Sequence, residues 1–338
     1  MEQLLLALRA AAEPTRLRLL ALAAGGAFCV SEFSETLGQS QPRLSRHLRL
    51  LHEAGLLEKL REGVNAWFAL PGGEQGRLAR ELLARIPGDD AVLAADRRHA
   101  ARVLAERARV ASDWFRRQGA DWDEMRALDL PAAAVEAALL TLLPAQAVGA
   151  LLDIGTGTGR LLEVLAPRVD AALGIDASPA MLALARARLA RAGLSHCAVR
   201  LGDMYRLPFA DAAFDVAVLQ MVLHHADDPA QVLAEAARVL RPGGMLVVVE
   251  LARHDRTDIA ARLAHRHQGF SDTEMVRMLR QTGLRAAPAV VVRSAPGNVL
   301  LSTPENRIAG ALEIRLWSAG LSSVASRRAE VRLTPTAV

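Results

Sequence analysis

Leu151-Leu152-Asp153-Ile154-Gly155-Thr156-Gly157-Thr158-Gly159 decides the fold. A short apolar run meets three glycines and then an amphipathic stretch over 160–165, the pattern of a β-strand turning tightly into a helix. Glycine lets the backbone approach a ligand closely, and the amides of the helix start then face that ligand. Many α/β proteins turn this way, so the spacing carries more weight than the glycines themselves. They fall as G-x-G-x-G, and Arg160 stands where the dinucleotide fingerprint carries its last glycine. That disfavours NAD.

Around this stretch, short apolar runs at 150–154, 172–175, 198–201, 214–219, 245–251, 287–293 and 311–317 alternate with amphipathic helical segments. The alternation predicts an α/β fold, a mostly parallel, doubly wound sheet with helices on both faces. The second run ends in Gly174-Ile175-Asp176, 17 residues past Gly159, and the third is followed by Gly202-Asp203-Met204. Asp176 is suited to accept both hydroxyls of a ribose, and Asp203 with Met204 to meet a purine amino group and its ring face. Each acid alone would be an ordinary loop carboxylate. On successive strand ends of one sheet edge, they describe a nucleoside pocket.

This constellation resembles the class I S-adenosylmethionine (SAM)-dependent methyltransferases, particularly the quinone and arsenite methyltransferase-like group. The likeness runs over about 148–252 and includes Phe214-Asp215-Val216-Ala217-Val218-Leu219 and Leu240-Arg241-Pro242-Gly243-Gly244-Met245-Leu246. It implies SAM, or its product S-adenosylhomocysteine (SAH), as the bound cofactor. Asp153 and Gly155 would face its methionine portion, with Gly157 and Gly159 completing the loop. Asp176 would hold the ribose, Asp203 and Met204 the adenine, and Leu219 with Gln220 would border the sulfonium. Trp122-Asp123-Glu124-Met125-Arg126 and Ala264-His265-Arg266-His267-Gln268-Gly269-Phe270-Ser271-Asp272 resemble proteins that join such a domain to a DNA-binding module.

Methyl transfer from SAM is an in-line displacement that requires proximity, alignment and exclusion of water. A strong base is optional, which makes the acceptor side harder to read. His224 and His225 follow the fourth strand, where an acceptor would enter, and are the candidates for proton removal. A pocket-wall or surface position is the alternative for each, and His254-Asp255 after the fifth strand is a second candidate. His265-x-His267 lacks a cysteine or a nearby third ligand, so no metal is assigned.

The first 73 residues read differently. Glu13-Pro14-Thr15 opens a helix that runs to Gly25-Gly26; a short helix over 31–37 follows; Gly38 suits its C-cap, and Ser40 with Pro42 opens a helix over 41–54. On that helix Leu44, Leu48 and Leu51 share one face and Arg43, Arg46 and Arg49 another. No acid occurs between Glu35 and Glu53, so positive charge is concentrated here. The segments 56–60 and 66–70 flank Arg61-Glu62-Gly63-Val64-Asn65 as a hairpin, a wing that could set Arg61 on a phosphate. Exposed Arg, Ser and Gln on a second helix after a tight turn suit the major groove, with an ordinary solvated Arg face as the alternative.

Residues 1–72 resemble the ArsR family of winged helix-turn-helix repressors. The matching text is Glu13-Pro14-Thr15-Arg16-Leu17-Arg18-Leu19-Leu20, Ser40-Gln41-Pro42-Arg43-Leu44-Ser45-Arg46-His47-Leu48 and Leu51-His52-Glu53-Ala54-Gly55-Leu56-Leu57. The family implies a homodimer on an inverted-repeat operator in double-stranded DNA, with Ser40, Gln41, Arg43, Ser45, Arg46, His47 and Arg61 as its DNA-facing residues. Leu4, Leu5, Leu6 and Leu8, with Leu78 and Leu82, would form the two-fold interface. Where metal-sensing members carry Cys-Val-Cys, this chain has Cys29-Val30-Ser31, and 76–86 contains no histidine. No regulatory metal is expected in this module.

Composition sets the outer bounds. The 338 residues are 51% hydrophobic and 23% charged, which excludes a disordered chain and argues for more than one domain. Net charge is only +4, too little to establish nucleic-acid binding without the local cluster. The richest apolar stretch, 138–154, contains Pro144 and Gln146, so no transmembrane helix is expected. Two cysteines, Cys29 and Cys197, lie 168 positions apart and suggest no disulfide framework. With no secretory pattern at Met1-Glu2-Gln3, a cytoplasmic protein is expected.

The expected organisation is a winged-helix DNA-binding domain over 1–73, a helical connector over 74–147, a methyltransferase domain over 148–318 with an insertion near 294–310, and a polar tail over 319–338. The functional expectation is a DNA-binding regulator that binds SAM or SAH and methylates a small-molecule acceptor. The alternatives are a non-catalytic SAM/SAH-sensing repressor and an N-terminal module that serves protein interaction rather than DNA.

Overall fold

The computed structural model describes residues 1–62, 65–71, 73–117, 128, 130–144, 148–263, 265–293 and 312–321. The first elements are α1 (Glu2–Ala11), α2 (Pro14–Ala23), β1 (Phe28–Cys29), α3 (Val30–Leu37), α4 (Gln41–Glu53), β2 (Glu58–Glu62) and β3 (Asn65–Ala69). Local chemistry sets their ends. The Glu13 carboxylate accepts from Arg16 N at 2.8 Å and caps α2, whose first turn holds Pro14. Gly38 closes α3 in the left-handed region at φ 63°. Ser40 occupies the N-cap of α4, but its hydroxyl makes no capping hydrogen bond; Pro42 in the first turn leaves one amide fewer to satisfy.

β2 and β3 pair antiparallel, with Leu60 opposite Trp67. β1 adds a third strand by pairing with β3, and at two residues it is too short to leave a periodic signal. Leu19, Leu20, Phe33, Leu44, Leu48 and Leu51 form the core beneath the opposite, charged face of α4. Cys29 is buried.

The helical connector divides between two cores. α5 (Gly73–Leu83) and α6 (Ala91–Arg117) follow the wing, and Ala100 and Leu104 of α6 belong to the N-terminal core. Ion pairs fasten α6 there, Arg18–Asp96 at 2.6 Å and Arg107–Glu32 at 3.3 Å. α7 (Ala132–Leu142) instead buries Val135 and Leu139 in the core of the large sheet. Apolar periodicity predicts a helix without saying which core receives it. Residues 122–126 lie outside the described residues.

The remaining elements are β4 (Val148–Ile154), α8 (Arg160–Leu165), β5 (Val169–Asp176), α9 (Pro179–Arg191), β6 (Cys197–Leu201), β7 (Phe214–Gln220), α10 (Pro229–Val239), β8 (Leu240–Leu251), α11 (Thr257–Leu263), α12 (Asp272–Gln281), β9 (Leu284–Ala286), β10 (Val290–Arg293) and β11 (Glu313–Leu321). The sheet order is β10-β11-β8-β7-β4-β5-β6, with β9 also paired to β11. β4 through β8 pair in parallel, and β11 runs antiparallel to β8. Leu151, Val216, Val218 and Val247 fill one face, and Leu152, Ala217, Leu219 and Val248 the other. A sheet covered on both sides needs apolar residues at successive positions, as these runs supply.

Two details differ from expectation. The run expected as one strand over 287–293 becomes a strand only from Val290, as β10; Ala287-Pro288-Ala289 separates it from β9, and a proline cannot donate to a ladder. The tail expected from 319 begins later, because Ala319, Gly320 and Leu321 still pair with β9. The stretches 294–311 and 322–338 lie outside the described residues. Among the described residues, no helix is long and apolar enough to cross a membrane.

The strand order reverses beside β4, so its carboxyl end opens onto the crevice where such sheets bind ligands.

Candidate cofactor, acceptor and nucleic-acid sites

The loop after β4 takes Gly155, Gly157 and Gly159 through positive φ, at 75°, 52° and 72°. At Gly155 a Cβ would stand 2.4 Å from Val222 Cγ2, so the position admits no side chain. The amides of Gly155 and Thr156 donate to Ile175 O at 2.9 and 2.8 Å and tie the loop to β5. Asp176 ends β5; its Oδ2 accepts from Gly157 N and its Oδ1 from Ser178 N, both at 2.8 Å. Each oxygen retains capacity for one hydroxyl. Burial pushes this carboxyl above its usual range against the pull of those backbone bonds.

Asp153 lies beneath the loop, buried, with Oδ2 accepting from Thr156 Oγ1 at 2.6 Å. Burial raises its pKa to about 7, opposed by the Thr156 bond and reinforced by Asp176. Gly202 N donates to Asp176 O at 3.1 Å, which brings the turn after β6 to the same edge. There Asp203 is exposed and Met204 packs, half-buried, on the core. Leu219 is buried at the end of β7, and the half-buried Gln220 carries an Oε1 that lacks a hydrogen-bond partner. Glycines at positive φ, a doubly capable carboxylate and a half-buried thioether fit a cofactor with a ribose and a purine.

Beyond Gln220 the chain turns sharply. Met221 holds φ at 56°, a conformation that costs a non-glycine residue energy and tends to mark functional turns. A 3-10 turn over Leu223–His225 follows. Its organiser is Glu250, fully buried near the end of β8 and absent from the sequence-based candidates. Glu250 Oε1 accepts from Val222 N at 2.8 Å, Leu223 N at 2.7 Å and His224 N at 3.3 Å. Its Oε2 lies 2.8 Å from His224 Nδ1. Burial alone would raise the Glu250 carboxyl; the His224 ring and these hydrogen bonds outweigh it and hold the group below the usual range. A charge inside the run Val247-Val248-Val249-Glu250-Leu251 was the available signal, since a buried carboxylate demands partners.

His225 is exposed beside His224, and His265 is buried against both rings, with centroids 4.1 Å from His224 and 5.3 Å from His225. Sequence spacing pairs His265 with His267 and does not indicate its place beside His224. His254 stands apart: its Nδ1 accepts from Arg256 N at 3.2 Å, and burial, then His265 and Arg256, lowers its pKa. An open cavity of about 460 Å³ lies away from the glycine loop, between α3 and α6, lined in part by Thr36, Asp96 and His99.

On α4, Ser40, Gln41, Arg43, Ser45 and Arg46 are exposed together. His47 is not among them; it is half-buried, with Nδ1 3.7 Å from Glu13 Oε2. Its i+3 and i+4 relation to Leu44 and Leu51 carries it toward the packed face. The Arg61 backbone belongs to β2, but its side chain lies outside the described residues. α1 buries Ala7, Ala10 and Ala11 and exposes Leu4, Leu5, Leu6 and Leu8. Leu78 and Leu82 are half-buried on the N-terminal core.

Two family models match. Residues 13–59 match the bacterial regulatory protein, arsR family, and residues 152–248 match a methyltransferase domain. An uncharacterized 37.1 kDa protein in a transposon of Streptomyces fradiae is 44% identical over 115 residues, covering 33% of this chain and 33% of that protein. A demethylmenaquinone methyltransferase of Tropheryma whipplei is 40% identical over 110 residues, 32% of this chain and 44% of the relative. This chain therefore spans less than half the length of either relative. A putative methyltransferase structure from Bacillus halodurans superposes with a TM-score of 0.48 at 20% identity, over 55% of this chain and 98% of that one.

Proposed function

We propose that this chain, an arsR-type helix-turn-helix region joined to a SAM-dependent methyltransferase domain, is a DNA-binding regulator that also methylates a small-molecule acceptor. The observation that carries the catalytic half is the buried Glu250–His224 pair, at 2.8 Å, in the turn that follows the cofactor edge of the sheet. Bound SAM supplies a methyl group on a cationic sulfur. Asp176 receives the ribose hydroxyls, Asp203 and Met204 the adenine, and Asp153 with the glycine loop the methionine portion. Leu219 and Gln220 border the sulfonium. Glu250 fixes His224 so that Nε2 can take a proton from the acceptor, with His225 at the solvent side.

In the N-terminal half, Ser40, Gln41, Arg43, Ser45 and Arg46 enter the major groove of an operator and Arg61 meets phosphate. His47 orients α4 through Glu13 instead. A homodimer formed through Leu4, Leu5, Leu6 and Leu8, with Leu78 and Leu82, sets two half-sites about one helical turn apart. The cytoplasm is the compartment that fits these partners.

The second reading, a SAM/SAH sensor, is favoured by the path of α9. Ser178, next to the ribose carboxylate, caps this helix, and Ala187 and Ala190 on its far side pack against the N-terminal core that includes Ala100 and Leu104 of α6. A ligand that binds the DNA-competent and incompetent states with different affinity would act through that contact.

One pair of assays tests both. Binding to DNA from immediately upstream of the gene is measured at fixed salt, without ligand and with SAM or SAH, and label transfer from methyl-labelled SAM is measured in a cell extract. Label in a small molecule supports the enzyme. A ligand-dependent DNA affinity without any label supports the sensor. No specific DNA binding would count against the regulator.

A further inference from the structure

His224, His225 and His265 each offer a ring nitrogen, and these nitrogens all lie within 4.8 Å of one another. The rings come from two segments that the fold locks together. Arg266 N and His267 N donate to His224 O at 2.8 and 3.1 Å, and His267 Nε2 lies 2.9 Å from Ala226 O. The 265–267 loop is thereby laid against the Leu223–His225 turn.

The donor set is specific in its chemistry. Three imidazoles with no carboxylate in the ring suit a borderline divalent transition ion and not Mg²⁺ or Ca²⁺, which take oxygen ligands. Glu250 Oε2 at 2.8 Å from His224 Nδ1 places the shared proton between them and leaves Nε2 as the ligating atom. A carboxylate behind a histidine is the arrangement that orients a metal ligand and raises its basicity. Two of the three rings are buried and His225 is exposed, so the cluster reaches solvent through His225. Three protein ligands plus an open position describe a catalytic metal site, whereas structural sites are closed.

We propose that His224, His225 and His265 bind one divalent transition-metal ion, with Zn²⁺ the ion best matched to three imidazoles. The placement deepens the methyltransferase reading and rests on it for its purpose: the ion occupies the acceptor side, beyond Gln220. There it holds an acceptor hydroxyl or thiol by its heteroatom; His224 Nε2 is then a ligand in place of the base, and the acceptor proton leaves to solvent. The freed lone pair forms the new bond to carbon as the carbon–sulfur bond of SAM breaks and SAH departs.

The full chain, stripped with a chelator, is titrated with Co²⁺ and followed by visible absorption, then with Zn²⁺ in competition. One ion per chain with the bands of four- or five-coordinate Co²⁺ is expected, displaced by Zn²⁺. His225→Gln, an exposed position whose loss leaves the core intact, and His265→Ala should each weaken uptake more than about ten-fold. Thermal melting identifies a variant that has not folded. No Co²⁺ uptake by the wild type, or equal uptake by folded His225→Gln, overturns the proposal. SAM binding is read separately on the same protein. Metal uptake without SAM binding leaves this site standing and removes the methyltransferase reading, and SAM binding without metal uptake does the reverse.

Discussion

The guanidinium of Arg186 lies 3.5 Å from the centroid of the Trp67 ring. Arg186 belongs to α9, the helix that starts just after Asp176, and Trp67 to β3 of the wing, and both are buried. A desolvated cation over an indole face is worth about 2 kcal/mol or more. The same guanidinium also pulls against the rise that burial imposes on the Glu32 carboxyl, along with Arg107. One side chain therefore links α9 to both the wing and α3.

Arg186→Met keeps the length of the side chain and removes the charge. It is expected to lower stability by about 2 kcal/mol and to shrink any effect of SAM or SAH on DNA affinity, while DNA binding without ligand persists. Urea unfolding and fluorescence anisotropy on labelled operator DNA read the two effects. An unaltered ligand response would show that the modules communicate by another route.

Asp153 sets a pH dependence. Its carboxyl titrates at about 7 in the folded chain and near 3.8 in the unfolded one. Between those values the folded state holds the extra proton, so stability falls as pH rises through this window, by up to about 4 kcal/mol at ~1.4 kcal/mol per pKa unit. Melting temperature should drop from about pH 5 to about pH 8 in the wild type and drop less in Asp153→Asn. Cationic SAM favours the ionised carboxyl, so its binding near neutrality should release a proton. Calorimetry in buffers of different ionisation enthalpy measures that release, and an equal value for Asp153→Asn would remove Asp153 from the site.

What was legible in the sequence follows from range. The glycine loop, Asp176 and the sheet's strands are local patterns, and local patterns survive folding because apolar period and turn chemistry dictate them directly. β1 escaped because two residues carry no period. α7 was legible as a helix but not its packing on the large sheet, since its apolar face does not name its partner. His47 was placed with the arginines by the family resemblance, whereas helical geometry sets it half-buried beside Glu13. Glu250, and the grouping of His265 with His224, were missed for a different reason. Their partnership with His224 arises from β8 lying beside β7 and from a loop returning to the same edge, a contact between residues 26 positions apart in the case of Glu250.

Glu250 accepts four hydrogen bonds from the 222–224 segment, so its removal has a defined penalty. Breaking one side of a buried ionic pair costs about 3–5 kcal/mol. Glu250→Ala should lose about that much in urea unfolding, and Glu250→Gln less, because the amide oxygen still accepts from the backbone. If His224 acts as the base, Glu250→Gln should also lower methyl transfer at saturating acceptor and shift its pH profile, with SAM affinity retained. A drop in stability with an unmoved pH profile would confine Glu250 to folding.

The charged face of α4 decides whether the N-terminal module reads DNA. Arg43 and Arg46 are both exposed and three residues apart, so they reach one groove together. Each contact to phosphate contributes about 0.9 to the slope of log affinity against log salt, and each bidentate contact to guanine about 1–3 kcal/mol of discrimination. Arg43→Ala with Arg46→Ala should therefore either flatten the salt slope by nearly two or erase the preference for operator over random DNA. His47→Ala, acting from the packed side, should reduce affinity without changing the slope. Anisotropy titrations at several salt concentrations separate these outcomes, and an unchanged affinity and slope in the double arginine variant would turn the module into a surface for protein partners.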